Sequence, residues 1–307
     1  MDLYQLETFL AVAEERSFSR AAARLHRTQP AVSQVIRKLE TDLGEVLLDR
    51  ASRDGTLTAA GEVLRQYAEK LLNLRAEAGV ALDELRTLHR GRLSIAANEY
   101  TCLYLLPILD RFRRVAPLIK VSVHRSLASR VADELLAHSV EFGIVSFRPD
   151  DSQVRSVVVY RDELVLVVNP SHALAKTKQA SIQQLGKENF VAHNIPSPQR
   201  QKVVQAFRRY RMPLNMGIEL PSLEAIKRCV ALGNGIALMP GLTAQPEIER
   251  GDLVRVAIPE LQFERKLRLV YRRQANLSQA GKAFLKVVEE MSTELGDPFL
   301  FHPERTG

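Results

Sequence analysis

Gln29, Ala31, Ser33, Gln34 and Arg37 stand close together in the run QPAVSQVIR. Amides and a guanidinium pair in bidentate fashion with purine edges in a major groove, and a methyl group touches thymine. That chemistry needs a helix turning these side chains to one side. The run supplies it, because Val32, Val35, Ile36 and Leu39 recur at helical spacing and mark an inward face. Thr28 is placed to cap this helix, and Pro30 falls in its first turn, where a missing N–H costs little. Taken alone, the polar face fits the solvated surface of a small helical bundle equally well.

The surrounding elements favour nucleic acid. Leu3, Leu6, Phe9, Leu10 and Ala13 predict a first helix, and Ser17 is placed to cap a second, SRAAARLH. Its small residues Ala21, Ala22 and Ala23 let another helix cross closely, as a helix-turn-helix requires. Acids slightly outnumber bases over residues 1–58, yet every charged residue between Arg16 and Leu39 is basic: Arg16, Arg20, Arg24, Arg27, Arg37 and Lys38. Downstream, Leu47 and Leu48 followed by ASRDGTLT, with an Asp54-Gly55 turn, predict a short hairpin. Arg50 and Arg53 flank its tip, as in a wing that holds phosphates or enters a minor groove.

Residues 9–61, FLAVAEERSFSRAAARLHRTQPAVSQVIRKLETDLGEVLLDRASRDGTLTAAG, resemble the LysR-type transcriptional regulators almost position by position. The shared elements are SF before the second helix, the alanine cluster, TQPAVS, IRKLE followed by LG, and LTAAG. The resemblance implies base contact by Thr28, Gln29, Pro30, Ala31 and Ser33, with Arg37 and Arg53 nearer phosphates. Gln34 replaces the arginine and Leu48 the phenylalanine that many members carry, which bears on base preference rather than on DNA binding itself.

Residues 59–88 lack proline and predict one long helix, about 40 Å at 1.5 Å per residue. Leu64, Tyr67, Leu71, Leu74, Ala78, Ala81 and Leu85 recur at gaps of three and four, the spacing of a coiled-coil seam. Packing on the chain's own core is the alternative, but a small three-helix domain cannot cover so long a seam. The family resemblance implies dimerisation through this helix, and it leaves dimer and tetramer both open as the final assembly.

From Gly91 the period changes. Apolar strands (RLSIAA, IKVSVHR, EFGIVSF, ELVLVVN, NFVAHN, NMGIEL, GIALMP, LVRVAI, KLRLVYR) alternate with helices, a βα organisation with a parallel sheet. A weaker resemblance through LYLLPILDRFR, VEFGIVSF, LVLVVNPSHALA and ALGNGIALMP implies two α/β lobes similar to a periplasmic binding protein. Lobe 1 would be about 91–162 with 267–295 and lobe 2 about 163–266, hinged near Arg161–Leu164 and Arg265–Arg268. The cleft would then be lined by Asn98, Tyr100 and Thr101, by Ser126 and Ser129, and by His193 and Ser197. Each of these also reads as an ordinary cap or turn residue. Helix N-termini at such a cleft favour an anionic effector.

The expected organisation is therefore α/β: an α-rich winged helix-turn-helix domain over 1–58, a dimerisation linker helix and hinge over 59–90, and a two-lobed effector domain over 91–307. Among 307 residues, 46 % are hydrophobic and 26 % charged, which excludes disorder, and no apolar run approaches a membrane span. The N-terminal run lacks a secretory pattern, and these features place the chain in the cytoplasm. Cys102 and Cys229 are isolated, so neither a disulfide nor a zinc site is expected. Gly233-Asn234-Gly235 ends a helix rather than opening one, the reverse of a nucleotide fingerprint. No histidine or carboxylate has a partner at catalytic spacing, so the chain is read as a regulator and not an enzyme, without cofactor or metal. A solute-binding receptor is the runner-up. The partners expected of the regulator are double-stranded DNA, a small anionic effector, a second copy of itself and, as a further candidate, RNA polymerase. The net charge of +7 agrees with a polyanionic partner.

Overall fold

The computed structural model describes residues 1–49, 56–86, 91–195, 197–261, 264–274 and 277–304. It divides into two compact units, residues 1–91 with 133–140, and 92–132 with 141–307.

The first unit opens with α1 (Leu3–Glu15), α2 (Phe18–Arg24) and α3 (Gln29–Leu43). Asp2 and Gln5 form a reciprocal capping box on α1, and the Ser17 hydroxyl accepts from Arg20 N, as its sequence position predicts. Leu6, Phe9 and Val12 meet Ala21 and Ala22 of α2 and Val32, Ile36 and Leu39 of α3 in one core. Leu48 bridges Leu57 in antiparallel sense, the base of the expected hairpin, whose tip lies outside the described residues. Two contacts fix this base to the helices. The buried Glu40 carboxylate accepts from Leu47 N at 2.9 Å, and a Cβ at Gly61 would stand 2.1 Å from the Leu47 carbonyl oxygen. Only a glycine lets the start of α4 (Ala59–Arg86) approach that strand so closely.

The second unit runs β1 (Arg92–Ala97), α5 (Thr101–Val115), β2 (Lys120–Arg125), the first two residues of α6 (Val131–Leu136), whose remainder belongs to the first unit, then β3 (Phe142–Val145) and β4 (Val154–Val168). It continues through α7 (Ala173–Thr177), α8 (Ile182–Leu185), β5 (Asn189–His193), α9 (Pro198–Arg209), β6 (Asn215–Leu220) and α10 (Leu223–Ala231). It closes with β7 (Ala237–Pro240), α11 (Gly241–Arg250), β8 (Val254–Val256), β9 (Glu264–Arg272), α12 (Gln279–Leu295) and β10 (Phe299–Pro303). The main sheet has the order β10-β4-β9-β3-β1-β2, with β1 parallel to β2 and β3 and the rest antiparallel.

β4 decides the architecture. Through Glu163 it pairs with β9, and from Leu164 onward it pairs with β7 and β8 instead, so one strand passes from one lobe into the other. The first lobe's core lies between the sheet, α5 and α12, where Phe112, Phe142 and Phe284 stack edge-on or tilted. In the second lobe β4 is buried on both faces. Leu166 and Val168 join Phe190 and Phe207 on one side, while Val165 and Val167 join Ile226 and Val230 on the other. That period of two explains an uninterrupted apolar run. Gly235, at φ +137°, lets the chain pass the Asn189 carbonyl, where a Cβ would stand at 2.6 Å.

Candidate DNA-reading face and effector cavity

α3 turns Thr28, Gln29, Pro30, Gln34 and Arg37 to solvent, with Ala31 and Ser33 half-buried beside them. Val32, Ile36 and Leu39 are buried on the opposite side, and Val35 is half-buried. Thr28 occupies the N-cap position, but its hydroxyl makes no cap bond, which corrects the sequence expectation; its carbonyl accepts from Val32 N instead. The side chains of Gln29, Ser33, Gln34 and Arg37 have no intramolecular partner among the described residues. Polar groups left unpaired on a rigid helix are ready donors and acceptors for an external ligand. The basic run is less uniform than its sequence: Arg24 pairs with Glu14 and Glu15, and Arg20 with Glu15, so α2's charge is largely neutralised by α1. Arg50 and Arg53 lie outside the described residues.

α4 has two apolar faces. Ala60, Leu64, Ala68 and Leu72 lie against the first unit's own core. Leu64, expected in the subunit seam, thus turns inward because α1 covers that side of the helix. Val63, Tyr67, Leu71, Leu74 and Leu82 are exposed, as is Ala78; Leu85 lies outside the residues whose side chains are described.

In the second unit a cavity of about 530 Å³ collects Asn98, Tyr100, Ser126, Ser129, His193 and Ser197. Strand ends and helix starts of both lobes deliver them: Asn98 and Tyr100 follow β1, Ser126 follows β2, His193 ends β5, and Ser197 caps α9 by accepting from Arg200 N at 3.1 Å. Thr101 is the exception. It is fully buried, its hydroxyl accepts from Asn98 N at 3.0 Å, and its own N–H donates to Asn98 Oδ1 at 2.9 Å. Its role is to brace the turn that presents Asn98.

Sequence patterns missed several cavity residues. Ser146 and Phe147 follow β3, and Arg125, Arg200 and Arg265 bring positive charge from three separate strands and helices. Arg200 donates to the His193 carbonyl at 2.8 Å and pairs with Glu219, while Arg125 is exposed at the rim. Burial holds the His193 imidazole below its ordinary pKa; the Arg125 and Arg200 guanidinia push it further down, and Glu99 opposes them. His193 is therefore a neutral group in a positive surrounding. Glu99 Oε1 accepts from Ser222 Oγ and Leu223 N, both at 3.1 Å, so a carboxylate from the end of β1 caps α10 in the other lobe. Among the described residues there is no cluster able to hold a metal ion, and no helix is long and apolar enough to cross a membrane.

Residues 3–62 match the family model for the bacterial regulatory helix-turn-helix protein of the lysR family, and residues 86–292 match the LysR substrate binding domain. A probable RuBisCO transcriptional regulator of Synechocystis sp. is 32 % identical over 99 % of this chain and 89 % of its own length. The fold is similar to full-length CbnR complexed with its target DNA, with a TM-score of 0.72 at 24 % identity over 94 % of this chain and 99 % of that one. It is also similar to the Synechocystis CcmR regulatory domain in complex with 2-PG, with a TM-score of 0.61 at 24 % identity over 66 % of this chain and 98 % of that one.

Proposed function

The chain belongs to the LysR family of bacterial transcription regulators, and we propose that the exposed face of α3 reads operator bases while the 530 Å³ cavity holds its effector. It is a DNA-binding regulator with an effector-binding domain, and its activity is regulatory rather than catalytic. The assignment of residues rests on one observation above others: Gln29, Ser33, Gln34 and Arg37 lie along one helix face with no intramolecular partner among the described residues. Gln29, Ser33 and Arg37 are four apart and so stand nearly in line, while Thr28 and Pro30 mark the end of α3 that enters the groove. Arg50 and Arg53 belong to this proposal as phosphate contacts of the wing.

The effector reading follows from the cavity's construction. Its wall is shared by both lobes, so a ligand that touches both binds the closed arrangement better than the open one and shifts the population by that difference. The surplus of guanidinium groups favours an acid. The cytoplasm, where DNA is found, is the proposed site of action, and RNA polymerase is a proposed further partner.

The exposed stripe of Tyr67, Leu71, Leu74 and Ala78 is the proposed contact with a second copy, which would pair two reading helices for two half-sites. Contiguous apolar surface of this kind on a long helix is ordinarily covered by a partner.

The test is selection of bound fragments from random DNA by the full-length protein, followed by mobility shifts on the winning sequence with and without small acids. We expect a two-part, symmetric site and an acid that changes its occupancy. Recovery of fragments without any shared sequence overturns the assignment of α3 as a base reader.

A further inference from the structure

Arg265 is 4 % exposed, yet it lines the cavity. It stands opposite Asp162 in the β4–β9 register, with Nε 3.5 Å from Asp162 Oδ2. Neither of those two atoms has a hydrogen-bond partner, and the guanidinium makes no other hydrogen bond or ion pair among the described residues. On its other side the guanidinium carbon lies 5.0 Å from the centre of the Tyr100 ring. A guanidinium carries five N–H donors in a fixed fork, so this buried cation keeps most of its bonding capacity unused. Burial raises the Asp162 carboxyl pKa against the pull of Arg265 and the Leu242 N–H, which marks Asp162 as a poorly satisfied partner.

The walls around this cation are chiefly apolar: Leu127, Phe147, Phe190, Ile195, Leu214 and Leu238 face the same space. A ligand covered with hydroxyls could pair some of them with Asn98 and the cavity's serines, but would set the rest against the larger apolar part of the wall, at a cost for each. An acid with an apolar body would bury that body and bring Arg265 the two oxygens its fork fits.

We propose that the effector is a carboxylic acid with an apolar body, and that Arg265 takes its carboxylate by exchanging the incomplete pair with Asp162 for a bidentate one. This rests on the reading of the cavity as the effector site. The exchange happens where β4 changes partners, one residue before the step from β9 to β7. Ligand binding therefore loosens one cross-strand tie at the crossover between the lobes, a direct way to bias their equilibrium.

The experiment is calorimetric titration of the full-length protein with octanoate and 4-phenylbutyrate, with the corresponding primary amides, and with glycerol 3-phosphate and 2-PG. We expect an apolar acid to bind and its amide to bind about tenfold or more weakly, the loss of a charge-assisted pair. Arg265→Lys should lose a similar factor, because an ammonium cannot match the carboxylate fork. Arg265→Gln combined with Asp162→Asn removes both buried charges together, which guards the fold, and should erase the preference for acid over amide. If the double variant keeps that preference, or if acids and amides bind wild type equally, Arg265 is not the anchor. Binding of glycerol 3-phosphate or 2-PG without the apolar acids overturns the ligand class and leaves the cavity reading standing. Silence from every compound overturns this inference and removes the support for the cavity reading too.

Discussion

On α3 the groups offered to a partner come from one unbroken helical stretch, Gln29 to Arg37, and their mutual spacing is fixed by the helix alone. Around the cavity, Asn98, Ser126, Ser146, His193 with Ser197, and Arg265 come from five separate places in the chain, and sheet topology fixes their spacing. The difference teaches where each surface is vulnerable. The helix face loses function when its own side chains or its seat on the core change. The cavity depends on braces just behind its wall, such as Thr101, which holds Asn98 in place. The exposed face also carries its polar groups at little energetic cost, because water satisfies them. In the cavity an unsatisfied cation is held out of water, at an energetic cost.

The severest way to probe this contrast is at the seat of α3. Gly61→Ala places a Cβ against the Leu47 carbonyl and should destabilise the first unit by about 3 kcal/mol, with loss of DNA binding and retention of effector binding. Calorimetric melting of the full-length protein, with and without a ligand, separates the two transitions. Equal loss in both units would show that the two sites do not fail independently.

Within the face itself, Gln29→Ala should weaken specific binding by about 1–3 kcal/mol and relax base preference, while Arg37→Ala should weaken specific and random DNA alike and reduce the salt slope. Mobility shifts at several salt concentrations read both effects. Matching behaviour of the two variants would mean that α3 does not divide its work between reading and anchoring.

Thr101→Val gives a smaller effect of the opposite kind. Removing the hydroxyl leaves Asn98 N without its partner and should cost the second unit about 1–2 kcal/mol of stability. Effector affinity should fall only as far as Asn98 moves. A large affinity loss at unchanged stability would make Thr101 a ligand contact after all.

The weakest expected signal is in pH. The folded state holds His193 below its ordinary imidazole value of 6.5, chiefly by burial, so the unfolded chain binds more protons in that range. Its contribution is complete above the unfolded pKa and is lost as pH falls through the folded one. His193→Gln should therefore make the second unit's stability less steep in pH below about 6.5, by less than one proton. An unaltered slope would remove His193 from the charged surrounding described for the cavity.

Much of the first unit was legible because each of its decisions is local. Ser17 caps, Ala21 and Ala22 allow a close crossing, and the period of Val32, Ile36 and Leu39 sets the reading face. The seam of α4 was legible as a period but not as a direction, since Leu64 and Tyr67 differ only in whether α1 covers them. In the second unit the strands and longer helices follow their apolar patterns. The one-turn helices α7 and α8 are too short to show a period, and α11 is disguised by Pro246. The first half of β4 mixes Arg155, Arg161 and Asp162 with its valines, and its pairing with β9 depends on residues about a hundred positions away. Arg265 was legible as part of the hinge but not as a buried cavity residue: a charged residue in a strand is ordinarily exposed, and only the crossover of β4 and β9 buries it.

The placement of β9 between β3 and β4 also governs how the protein comes into being. Helices α1 to α4 are all present once residue 86 has been made, so they can begin to pack while synthesis continues. The main sheet lacks its middle strand until residue 272 emerges, and Phe284 and Val288 of α12 must still arrive to close its core. At about 5–20 residues per second, some 200 residues separate the two events by roughly 10–40 s. During that interval the nascent chain has α3 in place, while the sheet that builds the cavity of the second unit is still incomplete.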